Sequence, residues 1–309
     1  MNYIFKLMTI LLLVAGLVTG LSLPVMADDG GASDSDSINE KLGVPIVVYG
    51  DTLTDAQKAE VRDLLRVAEA DAVQEYDVTG QDIANYIDGN PNSNMYSSAK
   101  IVRQEEGNGL TINIVTPDNI TAVTKEMYAN ALLTAGVENA TVDVASPVKV
   151  SGHSALTGIY KAYDVEGEGL DKERMELANE ELDVATDLAE KDGMSQEKVS
   201  ELLTEIKKAI ADQDPATKED VERIVKEQLD KLEISLNEAD REMLVNLFEK
   251  MRDLNIDFDK VKNQLEDIAT TIKDKIDDLG LDPGFWEKVA NFFSEIFESL
   301  SGLLKGLFN

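Results

Sequence analysis

A serine three positions before a lysine is the first place in this chain to look for reactivity. Ser97 and Lys100 have the spacing at which, one helical turn apart, a lysine activates the serine of penicillin-recognising acyltransferases. That chemistry also requires a Lys-Thr-Gly triplet downstream. None follows, and the segment reads as a loop entering a strand. His153 is the single histidine, so any imidazole base must rest on it. Between Gly152 and Ser154 it reads as an ordinary turn residue. One histidine and no cysteine cannot assemble the usual ligand set of a zinc site. Asp253, Asn255, Asp257 and Asp259 alternate like the opening of an EF-hand loop, but Phe258 stands where that loop requires glycine and Gln264 where it requires a bidentate glutamate. Carboxylate pairs for glycoside hydrolysis are abundant among 60 acidic residues, but sequence gives no distance between them. No aromatic-rich sugar cleft accompanies them. No catalytic, cofactor-binding or metal-ligating residue is therefore assigned. Calcium or magnesium is expected only as weak, non-specific association with the acidic surface.

The most specific physical signal lies at the other end of the chain. Phe285, Trp286, Phe292, Phe293, Ile296, Phe297, Leu300 and Leu304 fall on one stripe of an amphipathic helix over 282–309, opposite Glu287, Lys288, Glu295, Glu298 and Lys305. At roughly 1.5–3 kcal/mol per large apolar side chain, that stripe must be covered, which makes it the candidate interaction surface. Its cover is the protein's own helical region, a second copy, or a membrane surface. Two lysines against three glutamates weaken the lipid reading, because interfacial helices usually add basic residues.

These residues are placed by two kinds of element. Leu110, Ile112 and Ile114 alternate with Thr111, Asn113 and Val115, the period of a strand. The spacing then predicts a helix over 119–135 closed by Gly136, a strand over Ala140–Ala145, and a helix capped by Ser154 running to Tyr163. Upstream, Pro45–Gly50 reads as a strand. Thr54 caps a helix with Ala56, Val61, Leu64, Leu65 and Ala68 on its inner face. Val73–Val78 reads as a strand and Ile83, Tyr86 and Ile87 as a short helix, followed by a surface loop over 89–97. The strand from Ser98 to Glu105 is expected to form a hairpin with the one from Leu110, because Gly107, Asn108 and Gly109 supply the positive φ that a tight turn needs. Beyond Tyr163 the composition changes: tyrosine gives way to phenylalanine, and Gly167 and Gly169 mark a joint. From Leu170 the pattern is helical, with breaks at 192–193, 212–215, Asn237 and 282–284. Phe258, Val261, Leu265, Ile268, Ile272, Ile276 and Leu279 make a near-heptad seam that wants a partner helix, in this chain or in a second copy.

Residues 1–27 read as a secretory signal peptide: Lys6, an apolar run from Leu7 to Val18, then Pro24 and a Val25-Met26-Ala27 cleavage site. An uncleaved anchor is the rival reading, since the uncharged stretch is about the ~20 residues that span a bilayer. The absence of cysteine rules out disulfides and a lipid-modified N-terminus. Residues 28–43 are an acidic Gly/Ser/Asp tether, too poor in apolar side chains to order itself. The net charge of −31, without a basic stripe, excludes nucleic acid as a partner.

Several phrases carry a family resemblance: Tyr49-Gly-Asp-Thr-Leu-Thr54, Val78-Thr-Gly-Gln-Asp82, Ser97-Ser-Ala-Lys100, Tyr128-Ala-Asn-Ala131 and Ser154-Ala-Leu-Thr-Gly-Ile-Tyr-Lys-Ala-Tyr163. With them the chain resembles the YpuA-like family of secreted Gram-positive bacterial proteins, a domain of unknown function. The resemblance is strongest over 44–165 and implies export, but no reaction and no catalytic residue. The expected organisation is a signal peptide (1–27), the tether (28–43), an α+β or α/β domain with a mixed sheet and flanking helices (44–165), an all-α helical domain (168–281) and the amphipathic C-terminal helix (282–309). The expected role is extracellular or envelope-associated binding or scaffolding, through a protein partner or self-association of the helical domain. The alternatives are a carboxylate-based cell-wall hydrolase and a membrane-surface protein anchored by its C-terminal helix.

Overall fold

The computed structural model describes residues 42–68, 72–167, 169–191 and 194–278. The signal peptide, all but the end of the tether, and the C-terminal helix with its aromatic stripe lie outside these residues.

Strand β1 (Ile46–Gly50) is buried along its whole length, because both faces of the sheet are covered there. Helix α1 (Asp55–Leu64) starts as its sequence asks: the Thr54 hydroxyl accepts the Gln57 N–H, and the Gln57 side chain accepts the Thr54 N–H. Strand β2 (Gln74–Val78) leads into α2 (Gly80–Ile87), where Thr79 and Asp82 repeat that reciprocal cap. Then come β3 (Ser98–Arg103), β4 (Leu110–Ile114), α3 (Lys125–Ala135), β5 (Ala140–Ala145) and α4 (Ser154–Val165). The sheet order is β2-β1-β3-β5-β4, with β1 parallel to β2, β4 parallel to β5, and β3 antiparallel to both of its neighbours. One face packs Ile46, Val48, Ala99, Ile101, Val142 and Val144 against the helices that follow. The other packs Val47, Tyr49 and Ala145 under Val61 and Leu65.

The expected hairpin is corrected. Gly107 and Gly109 do turn with φ of +91° and +74°, but β5 lies between β3 and β4. The burial follows that order: Ala140, Val142 and Val144 of the central strand are wholly buried, whereas Thr111 and Asn113 of the edge strand β4 are exposed. Helix α3 begins at Lys125 and not near 119, because the Thr124 hydroxyl accepts the Met127 N–H and fixes the start. Residues 119–124 instead bridge Ile120 to Val150. Ser154 is the first residue of α4 and not its cap; His153 precedes it without a side-chain capping bond. Ala56 and Ala68 are exposed, and the 89–97 loop is not wholly at the surface, since Met95 and Ser97 are buried.

The rest is helical: α5 (Lys172–Lys191), α6 (Gln196–Gln213), α7 (Lys218–Lys231), α8 (Glu238–Asp253), a 3₁₀ turn at Phe258–Val261 and α9 (Lys262–Asp278). The breaks at 212–215 and Asn237 fall where expected, Asn237 capping α8. An unexpected one at Asn255, with φ of +49°, interrupts the run before the seam. Phe258, Val261, Leu265 and Ile272 of that seam are buried, and their partner helix is α6 of the same chain. Among the described residues no helix is long and apolar enough to cross a membrane.

One buried cluster crosses the joint expected at 165–168. Helix α3 is the reason: every residue from Glu126 to Ala135 is buried, with β4 on one side and α5 and α6 on others. Arg174 of α5 donates to the carbonyls of Thr134 and Leu133, satisfying the open end of α3. Deeper, Lys207 of α6 meets Glu181 of α5 at 2.6 Å and donates to Asn130 O and Thr134 Oγ1, each at 2.8 Å. Thr134 in turn donates to Glu181 Oε2 at 2.6 Å.

A candidate binding cleft at the sheet edge

Strand β4 is an edge, and its backbone groups can be assigned to sides. Val115 N–H donates to Val144 O and Gly109 O accepts from Ala140 N–H, so the odd-numbered residues face β5. Leu110 N–H points the other way and donates to the side chain of Gln264 at 2.9 Å. The Gln264 amide also donates to Glu138 O at 3.1 Å, tying the start of α9 to the sheet. By the same alternation Ile112 and Ile114 point outward, and their N–H groups meet no backbone partner among the described residues.

Beside this edge opens a cleft of about 310 Å³ between β4, the first turns of α3 and the outer face of α9. Leu110, Ile112, Ala129 and Ile268 supply its apolar lining, and Lys125, Glu126, Asp267 and Thr271 its polar lining. Glu126 is buried, but its carboxylate is engaged: Lys275 Nζ lies 2.7 Å from Oε1, and Lys125 Nζ lies 3.7 Å from it. Both ammonium groups meet that carboxylate at the same oxygen, so its charge is paired within the protein. The arrangement offers hydrogen-bonding backbone, an apolar floor and a neutralised charge, which is the composition of a recognition site.

The family model described as "Protein of unknown function (DUF1002)" matches residues 49–268, covering most of the sheet, of the cleft and of the helical region. The chain belongs to this family. The chain is also 34% identical over 275 residues to "Uncharacterized protein YpuA" of Bacillus subtilis (strain 168), an alignment covering 85% of this chain and 91% of that one. No solved structure matches the chain significantly. The resemblance expected from the motifs is thus borne out, and this DUF1002 match runs through the expected joint at 165–168.

In this DUF1002 chain the residues singled out from sequence separate. Ser97 and Lys100 do not meet: on an extended chain a spacing of three alternates sides. Ser97 is buried, while Lys100 Nζ donates to Leu65 O at 2.6 Å and pairs with Asp143 at 3.1 Å. The calcium-like run forms a turn in which Asp253 pairs with Arg252 and Asp257 accepts from Asp259 N–H. Among the described residues no group of three or more His, Cys, Asp or Glu is placed to hold a metal ion. The stripe from Phe285 to Leu304 lies outside the described residues.

His153 does gather partners. Its Nδ1 is 3.0 Å from Ser151 Oγ, and its Nε2 is 3.3 Å from Thr186 Oγ1 and 3.4 Å from Asp183 Oδ1. Partial desolvation raises the Asp183 carboxyl above its usual value even though its side chain is 58% exposed, opposed by the neighbouring imidazole and reinforced by Asp187 and Glu180. Serine, imidazole and carboxylate follow the order of an activated nucleophile. Here, though, serine and histidine share one turn and no residue of the group lines the cleft. The contacts tie the start of α4 to α5. Sequence reasoning missed Gln264 as an edge cap and the Lys207–Glu181 pair.

Proposed function

We propose that this protein is exported and acts at the cell envelope as a binding or scaffolding module rather than an enzyme. The cleft along β4 carries this reading, because its buried carboxylate is engaged by Lys275 and Lys125 and its lining suits recognition better than proton transfer. Export is supported by the sequence of residues 1–27. Two experiments test it. Mass spectrometry of culture supernatant and wall fractions should find a chain beginning at Asp28; an intact Met1 confined to the cytoplasm overturns export, and one confined to the membrane favours the anchor. Incubated with purified cell wall and with a fluorophosphonate probe, the full chain should release no fragments and leave Ser151 unlabelled. Release of wall fragments favours the carboxylate hydrolase, and labelling of Ser151 an acyl-transfer enzyme.

A further inference from the structure

We propose that the cleft binds an extended peptide of a partner protein, which adds to β4 as a sixth strand. This rests on the binding-module reading and names the chemistry of the partner. Among the described residues the outward N–H and C=O groups of Ile112 and Ile114 form a short ladder without a backbone partner. Its first rung is already filled, and by an amide: the Gln264 side chain accepts from Leu110 N–H as the carbonyl of an added strand would, while its own N–H donates to Glu138 O just before β5. Beyond that rung, space opens beside Leu110 and Ile112, against Ala129 and Ile268.

The pleat dictates the partner's pattern. Side chains of an added strand alternate between the two faces of the sheet. Those on the helical face enter the 310 Å³ cleft and should be apolar and of moderate size. Those on the opposite face lie beside exposed Thr111 and Asn113, the latter bonded to Asp143 at 2.8 Å, and should be polar. Main-chain bonds give such a complex its affinity and the alternating pockets its selectivity.

The test is a displayed library of eight-residue peptides alternating apolar and polar positions, panned against the full chain. Enriched peptides should slow amide exchange at Ile112 and Ile114. Methylating backbone nitrogens at one alternate set of positions should weaken binding at least tenfold, and methylating the other set should have little effect. Thr271→Trp, which fills the cleft from α9 without touching the sheet, should weaken binding at least tenfold with an unchanged melting temperature. If that variant unfolds, Ile268→Gln serves instead. Binding that Thr271→Trp abolishes but backbone methylation does not touch overturns strand addition while leaving the cleft as a binding site. No enrichment, or concentration-dependent protection of Ile112 in the protein alone, overturns the proposed occupant, the latter in favour of a second copy.

Discussion

Lys207 Nζ lies 2.6 Å from Glu181 Oε1, with 0% and 1% of the two side chains exposed. All three ammonium hydrogens are used, on Glu181, Asn130 O and Thr134 Oγ1, and the Phe258 ring centroid is 5.7 Å away. The pair joins three helices, α3, α5 and α6, in the buried core.

Breaking this pair from one side should be far worse than removing it. Lys207→Met leaves a buried carboxylate without its counter-charge and should cost roughly 3–5 kcal/mol, and Glu181→Leu should cost a similar amount. The double variant should recover most of that loss, since two well-packed apolar groups replace the ions. Urea denaturation of the three variants decides it: losses that simply add would mean the two charges do not act as a unit.

Alkaline pH should unfold the protein through its tyrosines. Burial raises the hydroxyls of Tyr128 and Tyr160 above their ordinary value of 10.0, with Glu181 adding to the effect at Tyr160. Above about pH 10 the unfolded chain gives up these protons and the folded chain keeps them, so stability falls as pH rises, approaching about 2.7 kcal/mol per pH unit for two groups. Burial lowers Lys207 from 10.5, against the pull of Glu181, so that group works in the opposite sense below that value. Absorbance at 295 nm should report tyrosinate formation in the same transition as loss of helicity. Ionisation of both tyrosines well before unfolding would contradict the burial described.

A chain cut at residue 165 should not keep a cooperative fold. Removing α5 and α6 uncovers the buried far side of α3 and strips Asn130, Thr134 and Leu133 of their partners. Circular dichroism and thermal melting of residues 44–165 check this, and a sharp, two-state melt would show that the sheet and its flanking helices stand alone.

What the sequence disclosed was local. Thr54 with Gln57 announces the start of α1 because both partners of the cap lie within four residues, and Asn237 announces α8 for the same reason. Strand order was not legible, since Gly107 and Gly109 describe a turn but not which strand the chain meets after it. Lys207 and Glu181 passed as surface charges, as lysine and glutamate on helices generally do. Yet Lys207 falls between Leu203 and Ile210, and Glu181 between Ala178 and Ala185, on the inward stripe of each helix. A charge on such a stripe was the available signal for both.

The position of β5 also sets a timetable. Arg103 of β3 pairs with Ala140, and Ser98 with Ala145, so β3 has one neighbour missing until β5 has been made. Helix α3 likewise waits for Glu181 and then Lys207. At roughly 5–20 residues per second, about 2–8 seconds separate the synthesis of β3 from that of β5. Throughout that interval Ala99 and Ile101 sit on an unclosed sheet, a template for pairing with another chain. Until the middle of the sheet is filled, β3 is the strand with an open side.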